Sequence, residues 1–481
     1  MNQKIKQILF FMIGPFISKS FSFISVPVFS YFLTLKQYGN YTLFTMLLMY
    51  LSPIITLGTE QYYLRDYDIK DGYKKRTAIF YLFTCTLIIL MITFIILRLF
   101  LNKSKLWGMP FYFIYLGIII SFFNAIQDIY SRTIRFHGMG QLYSNILFIN
   151  QLTTFILSLV LIIIYKNVIS LIISSLFSSF LNVILYIVAY RKYVMKLEKN
   201  ISRRNIQYKN ILKNALNFSF PLLPGVFLWV VQSTIDRFFI SKYLSMEDLG
   251  LFSVGFKFAT IIPLFVNSFL IFWEPKLYIC HDKFGDSKML NKTVSNYKNL
   301  YGLTISSIVL GMFVLLPLGV KVMSSSYQMA LYIIPLMLYS NFIHGFNYFS
   351  GMGPQMKKKT FISIFPLIAA VLVNIFLNFF FINKFGILAV LLSTNISFLV
   401  LLLLNYYITR KMISNIPNID FDITQLILQI LVATIFYTTR NFMVTCTFMI
   451  LIYLMNLIKN RKNLSSYLII LRDIFVKKIV N

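Results

Sequence analysis

The sequence predicts an all-α integral membrane protein of about fourteen transmembrane helices, read as two homologous six-helix bundles followed by a C-terminal helix pair. Three observations carry that reading. Of 481 residues, 58% are hydrophobic and only 12% charged, a balance that excludes a soluble globule of this length. Apolar runs of about 20 residues, enough for a helix to cross about 30 Å of hydrocarbon, recur from end to end. They are apolar throughout instead of at every second residue, which selects helices over a barrel. Finally, the chain repeats itself. Phe136-His137-Gly138-Met139-Gly140 returns as Phe349-Ser350-Gly351-Met352-Gly353 at an offset of 213 residues. Tyr31-Phe32-Leu33-Thr34-Leu35-Lys36-Gln37-Tyr38-Gly39-Asn40-Tyr41 has a looser copy in Lys242-Tyr243-Leu244-Ser245-Met246-Glu247-Asp248-Leu249-Gly250-Leu251-Phe252, offset by 211. Either match alone is weak in so biased a composition; the shared offset makes the pair persuasive. Duplicated bundles are a common plan for secondary transporters.

The spans follow in order. The first six cover Ile8–Thr34, Tyr41–Leu64, Thr77–Leu101, Phe111–Ser131, Tyr143–Tyr165 and Ser170–Tyr190. The second six cover Asn214–Ser241, Leu251–Trp273, Asn299–Val320, Met329–Ser350, Phe361–Ile382 and Ile387–Thr409. Ile423–Thr439 and Asn441–Ile458 form the last pair; the first of these is short, which leaves twelve spans and a re-entrant hairpin as the alternative. Lys4 and Lys6 before an apolar run give the opening the flanks of a signal peptide. The run is too long and lacks a small-residue cleavage site, so it reads as the first helix. The expected organisation is a first bundle over 1–190, a basic cytoplasmic linker over 191–213 and a second bundle over 214–410. The helix pair takes 411–458, and a cytoplasmic amphipathic tail takes 459–481. In that tail Tyr467, Leu468, Leu471, Ile474 and Phe475 share one helical face, capped by Ser465 or Ser466.

Lys and Arg outnumber Asp and Glu by 45 to 15. Counted in alternate loops with the N-terminus inside, 33 of the 45 fall on the cytoplasmic side, eight of them in Arg191–Lys213. Both termini are therefore expected in the cytoplasm. Charge placed at membrane edges is topogenic and suits anionic lipid head groups; nothing resembles a nucleic-acid module. Cys85, Cys280 and Cys446 lie too far apart for metal-ligand spacing, so neither a disulfide framework, a metal nor a cofactor is expected. No HExxH, Walker A, GxSxG or Rossmann fingerprint appears, and the outer loops are short, with Glu247 and Asp248 their only acids. An enzyme is not expected.

Ionisable groups inside spans are costly and tend to face a cavity, so they are the candidate site. Lys19 lies about midway along the first helix. Asp236 and Arg237 lie toward the outer end of the seventh, and Lys257 lies under two turns into the eighth. Lys19, Arg237 and Lys257 are candidates to bind an anion. Asp236, Glu60, Asp128, Arg65 and Arg135 are candidates for gating or ion coupling, with Asp236 and Lys257 placed to meet across their hairpin. For the inner-end groups, which include Arg132, snorkelling or a structural ion pair is the plainer alternative. Proline at 27, 53, 221, 224, 263, 317, 335 and 366 is expected to interrupt helices and permit bending.

The pattern resembles the polysaccharide-export branch of the multidrug/oligosaccharidyl-lipid/polysaccharide (MOP) exporter superfamily, and most of all the Wzx-type O-antigen and capsule repeat-unit flippases. The matching stretches are Tyr38-Gly39-Asn40-Tyr41, Leu57-Gly58 through Arg65, and Asn217-Phe218-Ser219-Phe220-Pro221-Leu222 with Asp236-Arg237. Trp273-Glu274-Pro275-Lys276 follows, and then Asn374 and Asn378 with Lys384-Phe385-Gly386-Ile387-Leu388-Ala389. Each is short; their order and spacing over 1–410 are specific. The resemblance implies two bundles in a V, as in the MATE transporters, around a central cavity. It further implies export of undecaprenyl-pyrophosphate-linked oligosaccharide across the bacterial inner membrane by alternating access, coupled to a proton or sodium gradient. A polysaccharide polymerase and a chain-length regulator would be partners, beside membrane lipids.

Charge supports that cargo. Lys19, with Lys257 or Arg237, could hold a pyrophosphate while the apolar tail stays in lipid. A drug exporter of the same fold would carry an acid in its first helix, and this helix has Lys19 and no acid. A small-molecule antiporter and, further off, a membrane glycosyl-transfer enzyme are the alternatives. Topology is directly testable. Cysteines in Arg191–Lys213 should be shielded from a membrane-impermeant outside label, while one at Asn40 or Ser326 should react; outside labelling of the basic linker would overturn the orientation.

Overall fold

Hydrocarbon offers a backbone no water to bond, so each spanning segment must satisfy its own N–H and C=O groups. The computed structural model describes residues 3–65, 72–101, 105–106, 109–195, 208–357 and 359–461. Within them the chain is helical almost throughout, apart from a two-residue strand pair, Lys105–Leu106 with Met109–Pro110. The tail at 462–481 and most of the expected basic linker lie outside the described residues.

The elements run α1 (Gln3–Ser30), α2 (Leu35–Thr56), α3 (Thr59–Arg65), α4 (Gly72–Leu101), α5 (Phe111–Phe136), α6 (Gly140–Tyr165) and α7 (Val168–Ala189), which continues as a π-helical turn, Tyr190–Val194. There follow α8 (Tyr208–Ser219), α9 (Leu223–Tyr243), α10 (Met246–Ala259), α11 (Ile261–Phe284), α12 (Lys288–Val322) and α13 (Ala330–Ser350). Then come α14 (Met352–Met356), α15 (Ile364–Phe385), α16 (Ile387–Met412), α17 (Asp420–Thr439) and α18 (Phe442–Asn460). By packing, the chain divides into two compact units, Met1–Arg237 and Phe238–Asn481, so the division falls inside α9. Among the described residues, 12 helical stretches are long and apolar enough to cross a membrane, matching expected spans three to fourteen. The first two expected spans hold α1, of 28 residues, and α2, of 22. The count is thus twelve by length and apolarity, and fourteen by position.

Three expected spans differ in detail, each for a local reason. The second breaks at Leu57 and Gly58, both at positive φ, before α3. The seventh is preceded by α8, a separate amphipathic helix with Ala215 and Ser219 buried and Lys209, Lys213 and Asn217 exposed. The eighth is jointed at Thr260, between α10 and α11. The prolines also divide into two groups. Pro27, Pro53, Pro317 and Pro335 lie inside helices, as does Pro15. Pro221 lies in the 3₁₀ turn between α8 and α9, and Pro224, Pro263 and Pro366 fall in the first turns of the helices that restart after a break, where a missing N–H costs little; at these positions the prolines mark the joints of the expected spans.

The sequence repeat has a physical content. Thr34 and Ser245 each cap the second helix of their half with a reciprocal capping box. Thr34 Oγ1 accepts from the Gln37 N–H at 3.3 Å while Gln37 Oε1 accepts from the Thr34 N–H at 2.9 Å. Ser245 Oγ accepts from Asp248 N–H at 3.0 Å and Asp248 Oδ2 accepts from Ser245 N–H at 3.2 Å. The 211-residue repeat is therefore a repeated helix start. Packing inside each unit repeats as well. In the first unit α2 packs on α5, α4 on α5, α5 on α7 and α6 on α7; in the second α10 packs on α13, α12 on α13, α13 on α16 and α15 on α16.

Polar side chains set the register of these apolar helices. In the first unit Gly14 lets α1 approach α6, where an added Cβ would stand 2.5 Å from Ser144 Oγ. Further along that seam Ser18 Oγ donates to Gln151 Oε1 at 3.4 Å, and Phe29 stacks on Phe155. In the second unit Asn374 and Asn378 are fully buried on α15, with Asn374 Nδ2 3.5 Å from Ser397 Oγ on α16. Small and polar residues are what associate helices where lipid is as apolar as leucine. The last pair is tied down similarly: Lys298 on α12 pairs with Asp422 on α17 and donates to the Asn418 carbonyl at 2.7 Å.

The two Gly-Met-Gly copies are glycine-rich for different reasons. Gly138 turns at φ +70° with open space around it, whereas a Cβ on Gly353 would meet Thr409 Cα at 2.8 Å. Gly138→Ala should cost about 1 kcal/mol of backbone strain, and Gly353→Val should cost about 1–3 kcal/mol by overpacking. Thermal unfolding in detergent should show the larger drop for Gly353→Val; an equal or reversed order would contradict the assignment.

Candidate functional site

Lys19 sits on α1, partly buried, about 100° round the helix from Ser18 at 3.6 residues per turn. Ser18 and Ser22 face Gln151 on α6, with Gln151 Nε2 donating to Ser22 Oγ at 3.5 Å, and Phe21 packs on Phe148 and Phe155. Lys19 therefore lies on the flank of the polar seam that holds its helix.

Asp236 and Arg237 are each 6% exposed on α9. Arg237 Nη1 lies 3.6 Å from Met49 Sδ on α2. One turn earlier Thr234 Oγ1 is 2.8 Å from the Tyr50 hydroxyl. Lys257 lies in the last turn of α10, partly buried, in the second unit; its carbonyl accepts from Thr260 Oγ1 at 2.6 Å. Asp236 and Arg237 close the first unit, so Asp236 and Lys257 belong to different units.

The remaining candidates gather at the end of the first unit where the basic segments lie. Glu60 opens α3, with Oε2 buried and without a hydrogen bond among the described residues. Arg65 ends α3, its guanidinium 4.8 Å over the Phe218 ring of α8. Asp128 Oδ2 accepts from Arg132 Nε at 2.7 Å within α5, a half-exposed i,i+4 pair worth about 0.3–0.5 kcal/mol. Arg135 stands 5.3 Å over Tyr143. For Asp128 the plainer alternative, a local ion pair, is what the geometry displays.

Two groups escaped the sequence reading. Arg76 is counted there only as part of a basic loop, yet it is 2% exposed. Its guanidinium lies 4.0 Å over Tyr190, with Tyr130 and Tyr73 at 5.4 and 5.9 Å, and Nη1 is 3.5 Å from the Tyr63 hydroxyl. That hydroxyl also bonds Thr133 Oγ1 at 2.7 Å, so one arginine joins α3, α4, α5 and the π-helical turn. Tyrosines at the ends of four segments were the available signal. Lys298 with Asp422 is the other; their separation of 124 residues leaves no local pattern. Among the described residues no group of three or more His, Cys, Asp or Glu could hold a metal ion.

The architecture is that of a polytopic helical membrane protein. Its structure matches the lipid II flippase MurJ in an inward closed conformation, at TM-score 0.67 and 14% identity, over 95% of this chain and 100% of that one. A multidrug-resistance MATE transporter of the MOP superfamily in an outward-facing conformation matches at TM-score 0.53 and 15% identity, over 86% and 97%. The MATE transporter VcmN of Vibrio cholerae matches at 0.58 and 11%, over 85% and 96%. At these identities the likeness is one of fold. No curated protein matches the chain in sequence. A family model described as polysaccharide biosynthesis protein matches residues 5–273, more than half the chain, and the chain belongs to that family.

Proposed function

We propose that the protein is a flippase for undecaprenyl-pyrophosphate-linked oligosaccharide, an O-antigen or capsule repeat unit. It would act in the bacterial cytoplasmic membrane with both termini cytoplasmic. The observation that carries this reading is the conjunction of family and fold: a polysaccharide-biosynthesis chain that follows the fold of a lipid II flippase over 95% of its length. Lys19 adds to it. A partly buried amine midway along α1, in a helix without an acid, suits an anionic cargo better than a cationic drug.

On this reading Lys19 binds the pyrophosphate, with Arg237 and Lys257 as further cationic contacts, and the apolar tail stays in lipid. The chain then needs no catalytic residue; its work is to alternate access. Asp236 is the gating group, and its protonation would couple opening to a proton gradient; a sodium gradient is the other driving force for such a cycle. Glu60, Asp128, Arg65 and Arg135 sit where the cytoplasmic face would open. A polymerase and a chain-length regulator would take up the delivered units.

The test is charge at position 19. Lys19→Ala and Lys19→Glu should abolish surface polysaccharide at normal protein levels, while Lys19→Arg keeps part of it. Undiminished polysaccharide from Lys19→Ala would remove Lys19 from the site. Cation-driven drug efflux from cells expressing the protein, with no effect on polysaccharide, would favour the antiporter instead.

A further inference from the structure

The contact between α2 and α9 is unlike that between α1 and α6. The α1–α6 seam rests on close backbone approach at Gly14 and Ser144. Helices α2 and α9 are not among the pairs with substantial close packing; long side chains bridge them. Tyr50 reaches Thr234, and Met49 reaches Arg237. Thr234 Oγ1 also donates its single proton to the Val230 carbonyl at 2.6 Å, so the Tyr50 hydroxyl is the donor in the cross-helix bond. Thr234 and Arg237 are one turn apart, and Met49 and Tyr50 are adjacent, so the two contacts form one short clasp.

Both components are of a kind that opens cheaply. A neutral hydroxyl pair contributes little net stability, and a thioether is a weak acceptor. Meanwhile Thr234 is fully buried. The clasp also joins helices of particular standing: α2 is the second helix of the first repeat, and α9 is the first helix of the second. No loop links them, the partners being 184 and 188 residues apart in sequence.

We infer that Tyr50–Thr234 and Met49–Arg237 are a reversible latch between α2 and α9, made in this structure and broken once in each transport cycle. This rests on the flippase reading, since a latch matters only if the helices must part. Tyr50 and Thr234 are then positioning residues that act beside Arg237, which the flippase reading also gives to the cargo.

The experiment uses the full chain in cells, with Cys85, Cys280 and Cys446 replaced by serine, carrying Tyr50→Cys and Thr234→Cys. A tyrosine side chain fills the gap, and a direct disulfide requires Cα atoms within about 7 Å. A short bifunctional thiol reagent with a reducible link is therefore used. Cross-linking should abolish polysaccharide export, and reductant should restore it. Export that persists in fully cross-linked protein overturns the latch and leaves the flippase reading standing. A second measurement needs no active double variant. With Thr234 intact, the rate at which a small thiol reagent labels Ser233→Cys, beside it on α9, should rise about fivefold when Tyr50→Phe removes the hydroxyl. An unchanged rate counts against the latch even if the double-cysteine protein is inactive.

Discussion

Every other feature of this structure depends on one constraint: in hydrocarbon, a backbone polar group without a partner costs several kcal/mol. The chain meets it by making nearly all of its described length helical. Helices that satisfy themselves leave the apolar effect with nothing to choose between protein and lipid, so their arrangement must be specified otherwise. The specification is visible as glycine, serine and asparagine at the seams. Gly14 against Ser144, Ser158 bonded to Ser174 at 2.8 Å, and Asn347 bonded to Asn405 at 3.2 Å are instances on different helix pairs. Each is individually small. Together they fix which face of each helix meets which neighbour.

The same constraint sorts the charged groups. A charge within the bundle must either be bonded or serve a purpose that offsets its cost. Lys298 and Asp422 take the first course, pinning the C-terminal helix pair to α12; removing either partner of such a pair typically costs about 3–5 kcal/mol. Arg76 does so with aromatic faces, and Asp128 with Arg132 on its own helix. Lys19, Asp236, Arg237 and Lys257 have interacting partners as well, and the transport role proposed for them is additional to those contacts. What each side chain touches is also why the loop arginine Arg76 proves to be structural.

Much of the fold was legible in the sequence because hydrocarbon thickness acts on run length directly, and every expected span holds helix. The repeat was legible too, though not its cause. Thr34-to-Gln37 and Ser245-to-Asp248 are capping boxes, a signal that spacing alone contains, yet in an apolar chain they read first as sequence similarity. The joints at Gly58 and Thr260 were less legible. Hydropathy continues through both; Pro263 just beyond Thr260 was the signal for the second, while the first follows from the positive φ of Leu57 and Gly58. Long-range pairs such as Lys298 with Asp422, or Tyr50 with Thr234, have no local signature and appear only once the helices are assembled. The site is legible to the extent that ionisable residues in spans are rare; which of them share a surface is set by helix rotation, which the apolar composition barely encodes.

We propose that this chain moves a lipid-linked oligosaccharide between leaflets. The most direct measurement is with purified protein reconstituted into sealed vesicles. These would contain undecaprenyl-pyrophosphate-linked oligosaccharide, with its exposure followed by a sugar-modifying enzyme confined outside. The inner-leaflet pool should become accessible in vesicles holding the protein, faster under an imposed proton or sodium gradient, and not in protein-free vesicles. An inner pool that stays protected under every gradient, with the protein folded and inserted, would contradict it.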